Sequence, residues 1–162
     1  MNISLSRSFA ALFLLLVILV PATLHAQAKK STAVVAMEGV KVGMTEKEVL
    51  ALIKEPSEKE KTYLGVYWHY DLPVMSVLFS TKPVVVERLT TKNPLTKVTI
   101  DGKKIRVGNK LNEIVALIGQ HHDKFIVNKE LTEYIWFNES LRILCKNGSV
   151  EKISIVPEIV FE

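Results

Sequence analysis

Two stretches of the chain carry the same pattern of apolar and polar positions. Residues 41–56 read KVGMTEKEVLALIKEP, and residues 106–121 read RVGNKLNEIVALIGQH, an offset of 65. Over Val42–Ile53 against Val107–Ile118, six of twelve positions are identical. Val49, Leu50, Leu52 and Ile53 recur at helical spacing, as do Ile114, Val115, Leu117 and Ile118, so each copy predicts a helix with one apolar stripe. Thr45 followed by Glu48 reads as a capping box, with Met44 and Val49 as its hydrophobic staple, and Pro56 forbids continuation. In the second copy Lys110 replaces Thr45, so Asn109 is expected to cap one residue earlier, and Gly119 is placed to end the helix. Two copies at a fixed offset predict a tandem pair rather than a solenoid.

The flanks repeat too. A short extended segment precedes each helix: VVAMEGVKV in the first copy and KVTIDGKKIRV in the second, where Asp101-Gly102 signals a hairpin. Gly43 and Gly108 mark the corner between this segment and the helix. SEKEKT, residues 57–62, reads as a solvated charged linker. Alternating stretches follow: VYWHYDL, PVMSVLFS and PVVVERLT in the first copy, ELTEYIWFN, SLRILCK and SVEKISIV in the second. Tyr70 to Phe79 and Trp136 to Cys145 share one spacing at an offset of 66, so one residue is inserted between helix and strands. Asn147-Gly148 is a second two-residue hairpin turn. The expected fold class is α+β: two tandem β-α-β-β-β repeats with the helices packed on an antiparallel sheet.

The N-terminus has a different pattern. Arg7 precedes twelve unbroken apolar residues, Phe9 to Val20, then Pro21, and Ala26-Gln27-Ala28 fits a small-x-small cleavage site. This reads as a cleaved signal peptide over residues 1–28, because twelve residues are too few to span a bilayer. No Cys lies nearby for lipidation. The expected organisation is a leader, 1–28, a first repeat, 29–95, and a second, 96–162, with no transmembrane segment in the mature chain and a periplasmic destination. The formal net charge is +4 and falls by one without Arg7. That is too weak to argue for nucleic acid, and the one basic cluster, Lys103, Lys104 and Arg106, reads as a solvated hairpin. Cys145 is the only cysteine, so no disulfide framework is expected. It aligns with Phe79 at the end of an alternating strand, which makes it a small core hydrophobe.

The run Gly43-Met44-Thr45 with Val49, then Pro56, then Trp68-x-Tyr70, then Val77-x-Phe79, resembles the BamE/SmpA/OmlA-type domain. The β-lactamase inhibitor protein carries a similar unit twice in tandem. Lys54 stands where that family has a Gly before the Pro, and the lipidation Cys is missing. The resemblance implies a non-enzymatic, protein-binding role in a Gram-negative envelope, as an accessory of outer-membrane assembly. The alternative is a secreted enzyme inhibitor. Gly43, Thr45, Glu48, Gly108, Tyr70 and Phe79 are then fold-forming positions.

The candidate binding residues are aromatic. Trp68 and Tyr70 share one face of their strand, with Tyr67 and His69 on the other. Tyr134 and Trp136 share a face, with Phe137 opposite. If one face meets the helices, the other is free for a partner, and Tyr and Trp are frequent binding hot spots. The candidates are Tyr67, Trp68, His69, Trp136 and Phe137, with another envelope or secreted protein as partner. If Trp68, Tyr70 and Trp136 are core, then Tyr67, His69 and Phe137 face outward. A further alternative is a metal held by His121, His122 and Asp123, but their neighbours supply no spaced ligand partner. The chain has no nucleophile elbow, phosphate loop or H-E-x-x-H motif, and it is read as a non-enzyme without cofactors.

Overall fold

The structure, a computed structural model, describes residues 33–137 and 140–158. The leader reading, 1–28, lies outside the described residues. In chain order the elements are β1 (Val35–Met37), α1 (Glu46–Leu52), β2 (Glu58–Lys61), β3 (Val66–Asp71), β4 (Val74–Phe79), β5 (Val86–Thr91), β6 (Val98–Ile100), β7 (Lys103–Ile105), α2 (Leu111–Ile118), β8 (Asp123–Ile126), β9 (Leu131–Trp136), β10 (Leu141–Lys146) and β11 (Ser149–Ile155). Eight strands form one antiparallel sheet in the order β2-β3-β4-β5-β11-β10-β9-β8, and β1-β6-β7 form a separate three-stranded sheet.

This corrects the expected α+β class with paired β-α-β-β-β repeats. The described chain is mainly β, with two helices of seven and eight residues. Each half sends four strands, not three, into the large sheet, and the strands before the helices leave it for the small one. The discrepancy has a physical origin in the edges. SEKEKT is no linker: Glu58–Lys61 is an edge strand exposed at every position. A strand hydrogen-bonded on one side and solvated on both faces needs no apolar alternation, and alternating Glu and Lys protects such an edge from further pairing. The equivalent edge in the second half, β8, is likewise exposed throughout.

The sequence repeat maps onto a helix followed by a four-strand meander in each half, and the strand order reads the same from both edges towards the β5–β11 seam. Even the irregularities repeat. The β4–β5 register shifts between Leu78 and Phe79, leaving Glu87 as the extra residue. The β10–β11 register shifts between Leu144 and Cys145, leaving Glu151. Each bulge increases the local twist. The corner glycines dock at equivalent places: Gly43 N–H donates to Val86 O and Gly108 N–H to Val150 O, both at 2.8 Å. Their φ values, 87° and 91°, are ones a side chain resists.

Glu48 N–H donates to Thr45 Oγ1 at 3.4 Å while Thr45 N–H donates to the Glu48 carboxylate at 2.7 Å, completing the capping box of α1. The second cap differs from expectation. Lys110 occupies the N-cap, and an ammonium has no lone pair to offer, so only the reciprocal half forms: Lys110 N–H donates to Glu113 at 3.0 Å. Asn109 instead accepts from Arg106 N–H at 2.8 Å.

One apolar cluster joins everything. Trp68, Val77, Phe79, Leu89, Leu141, Ile143 and Ile153 from one face of the large sheet pack with Val49 of α1, Ile114 of α2 and Met37, Val98, Ile100 and Ile105 of the small sheet. Cys145 sits in the same cluster, 2 % exposed. The helices and the small sheet therefore cover one face of the large sheet, called the inner face below, and the outer face carries no helix or strand among the described residues.

Candidate functional site

Strand alternation sends every second side chain to the outer face, and the register places those side chains in rows. One row crosses all eight strands: Glu58, His69, Ser76, Thr90, Ser154, Arg142, Ile135 and Asp123. Beside it run Glu60, Tyr67, Leu78 and Arg88. Tyr67 and His69, two residues apart on β3, lie side by side with ring centroids 6.0 Å apart and planes within 9°. His69 Nδ1 is 3.0 Å from Ser76 Oγ, and Nε2 is 3.4 Å from Glu60 Oε2. An ionised Glu60 can only accept, so in the neutral ring Nε2 carries the proton and Nδ1 accepts the Ser76 hydroxyl hydrogen. Three strands thus hold one imidazole in place beside Tyr67.

A carboxylate, an imidazole and a hydroxyl in line invite comparison with nucleophilic catalysis. Ser76 lies in mid-strand, paired with β3 on one side and β5 on the other. Its backbone is committed to the ladder and offers no amide to a developing oxyanion. The arrangement orients the ring.

The other candidates are dispersed. Trp68 and Trp136 are each 1 % exposed on the inner face. Lys59 caps Trp68, its Nζ 4.2 Å from the ring centroid. The Trp136 indole N–H donates to Gly119 O at 3.0 Å, tying β9 to the end of α2. Phe137 follows β9 with φ 52° and packs half-buried against the core. Tyr67 and His69 are therefore the two candidates brought together on the outer face. His121 is half-buried against Tyr134 and Trp136, with centroids 4.8 and 5.6 Å away. His122 and Asp123 are exposed on the way into β8. Among the described residues, no group of three or more His, Cys, Asp or Glu side chains is placed to hold a metal ion. Lys103 donates to Leu117 O at 2.6 Å, at the end of α2, while Lys104 and Arg106 are exposed.

Sequence reasoning missed Ser76 and Glu60, which the register brings to His69. It also missed the middle of the row, where Thr90, Ser154 and Arg142 meet Arg88 and Lys152. The available signal was polar residues at alternate positions of β5 and β11.

No family model matches the chain, and no curated protein sequence does. Two solved structures are similar. One is an extracellular protein containing an SCP domain from Bacillus anthracis str. Ames, with a TM-score of 0.49 and 13 % identity, covering 72 % of this chain and 44 % of that one. The present chain thus spans less than half of that protein's length. The other is a DUF4309 family protein from Bacillus subtilis subsp. subtilis str. 168, with a TM-score of 0.42 and 10 % identity, covering 69 % of this chain and 77 % of that one. Similarities this weak carry no functional argument. The BamE/SmpA/OmlA resemblance is corrected: no model of that family matches the chain. The residues that suggested it have local explanations. Gly43, Thr45 and Glu48 build a helix start, and Trp68, Tyr70, Val77 and Phe79 are the inward positions of two paired strands. Any strand-packed helix makes these demands. Among the described residues, no helix is long and apolar enough to cross a membrane.

Proposed function

We propose that the chain is an exported, non-enzymatic binding module that engages another envelope or secreted protein through the outer face of its eight-stranded sheet. The observation that carries this reading is the Tyr67–His69 pair. Its rings are stacked, and His69 is fixed by Ser76 and Glu60, so little side-chain freedom remains to be lost when a partner docks. Aromatic groups held rigid on a face that carries no helix or strand among the described residues have the character of interface hot spots. Export to the periplasm rests on Arg7, the apolar run Phe9–Val20 and Ala26-Gln27-Ala28.

The test is a crosslinking pulldown of the tagged mature protein from periplasmic extract, compared with Tyr67→Ala/His69→Ala and with Tyr63→Ala. Tyr63 is 93 % exposed in the β2–β3 loop. A partner captured by the wild type and Tyr63→Ala but lost with the double variant supports the reading. Equal capture by all three proteins refutes it.

A further inference from the structure

The middle of the outer face contains a groove of about 400 Å³ between the β5–β11–β10 surface and the segment that follows β11. Its floor is made by Thr90 and Ser154, direct neighbours across the seam. Ser154 is only 7 % exposed. Neither hydroxyl has a side-chain hydrogen bond among the described residues, so both remain available to an occupant. Arg88, Arg142 and Lys152 line the groove together with Glu133 and Glu158. Arg142 is already engaged, its guanidinium 3.8 Å from Glu133. Arg88 and Lys152 make no ion pair among the described residues.

We infer that this groove binds a small ligand carrying one oxyanion, a carboxylate or a phosphate, with Arg88 and Lys152 supplying the charge and the Thr90 and Ser154 hydroxyls donating hydrogen bonds from below. Charged donors facing an oxyanion make stronger hydrogen bonds than neutral ones, and a concave site excludes part of the water that would screen them. Glu133, paired with Arg142, and Glu158 restrict the choice. They keep the net positive charge of the groove small, which favours a monoanion over a polycarboxylate. The volume lies at the small end of the range for ligand pockets, about 300–1,000 Å³, enough for a metabolite-sized molecule and too little for a folded segment. This site stands independently of any protein docking at Tyr67 and His69.

The experiment is isothermal titration calorimetry of the mature chain at low ionic strength, with inorganic phosphate and gluconate as probes. Saturable one-to-one binding of either probe is expected with a dissociation constant at or below about 1 mM. Arg88→Ala and Lys152→Met each weaken it by about tenfold or more, because each removes a charged partner. Lys104→Ala, in the β6–β7 hairpin, leaves it unchanged. Ser154→Ala weakens it less, and circular dichroism confirms that each variant remains folded. Absence of saturation for both probes up to about 10 mM overturns the inference. So does binding that Arg88→Ala and Lys152→Met leave intact.

Discussion

Replacing Trp136 with Phe tests whether this residue belongs to the core or to a binding surface. The indole is 1 % exposed and its N–H donates to Gly119 O at 3.0 Å. Phenyl in place of indole removes two ring carbons and the N–H. At roughly 0.8 kcal/mol per buried carbon unit, the lost transfer energy is about 1.5 kcal/mol. The lost hydrogen bond leaves a carbonyl at the end of α2 without its donor, which costs about 1 kcal/mol more. The expected destabilisation is about 2.5 kcal/mol, corresponding to a fall in Tm of about 10 °C for a unit of this size. Urea unfolding followed by far-UV circular dichroism reads it directly, as a midpoint lowered by about 1 M at an unchanged slope. Trp68→Phe is the control. Trp68 is equally buried, but its indole makes no hydrogen bond among the described residues, and a phenyl still offers Lys59 an aromatic face. It should lose only the transfer part, so the two variants differ by about 1 kcal/mol. A loss below about 0.5 kcal/mol for Trp136→Phe would place the ring outside the core and refute the reasoning. Below its own melting temperature the variant should capture partners as the wild type does.

Three further outcomes follow from buried and capped groups. The Tyr70 hydroxyl is buried with no hydrogen-bond partner among the described residues, and burial, aided by the charge of Glu55, pushes its pKa up to about 12. Tyr70→Phe removes an unsatisfied polar group and should raise stability by up to about 1 kcal/mol in urea unfolding; a loss of stability would show that the hydroxyl is satisfied. Burial likewise raises the Cys145 thiol to about 11, so at pH 8 its reaction with a disulfide reagent should proceed only as fast as the protein opens, and rapid labelling of native protein would contradict the core placement. The Glu48 carboxyl is held below its ordinary value of 4.5, first by the backbone N–H of Thr45 and then by the Thr45 side chain. A depressed folded-state pKa stabilises above the unfolded value and loses that contribution as pH falls through the folded one. The difference in Tm between wild type and Glu48→Gln should therefore hold at neutral pH and close below pH 4.5, and a gap that widens with acid would reverse the assignment.

The helices, the first cap and both hairpin turns were legible because each is decided within a few residues, whereas Leu52 and Leu117, expected on the apolar stripes, are exposed. Thr45 and Glu48 contact each other across one turn, and Asp101-Gly102 and Asn147-Gly148 both adopt the positive φ pairs their turn type requires. The inward positions of β3, β4 and β10 were legible for a similar reason, since alternation marks a buried face wherever a strand is covered on one side only. The edges were not. Glu58 to Lys61 and Asp123 to Ile126 are exposed on both faces, so no pattern distinguishes them from a loop. Their strand character comes entirely from β3 and β9, whose free edges they pair. That omission cost the fold class: without the edge strands each half reads as three strands and a helix, a balanced α+β unit rather than half of a broad sheet.

The outer face was hidden for a different reason. Alternation shows which residues of one strand share a face, but not which strands lie side by side. Glu60, His69 and Ser76 meet because β2, β3 and β4 are successive neighbours, and a hairpin-by-hairpin reading can approach that arrangement. Thr90 and Ser154 meet only because the last strand of the first meander pairs with the last strand of the second. No turn or cap specifies that seam. It forms because each meander has its helix side covered and its other edge occupied by an exposed, charged or solvated strand, which leaves β5 and β11 as the two unpaired edges with apolar inward positions, Leu89 opposite Ile155. Burying those positions against each other joins the halves, and the polar residues on the reverse side of the same strands are brought into register as a consequence. The groove is thus a by-product of how two copies of one unit satisfy their open edges. Its lining can vary at the outward positions of β5, β10 and β11 without disturbing the core beneath, which is where a duplicated scaffold has freedom to acquire a ligand.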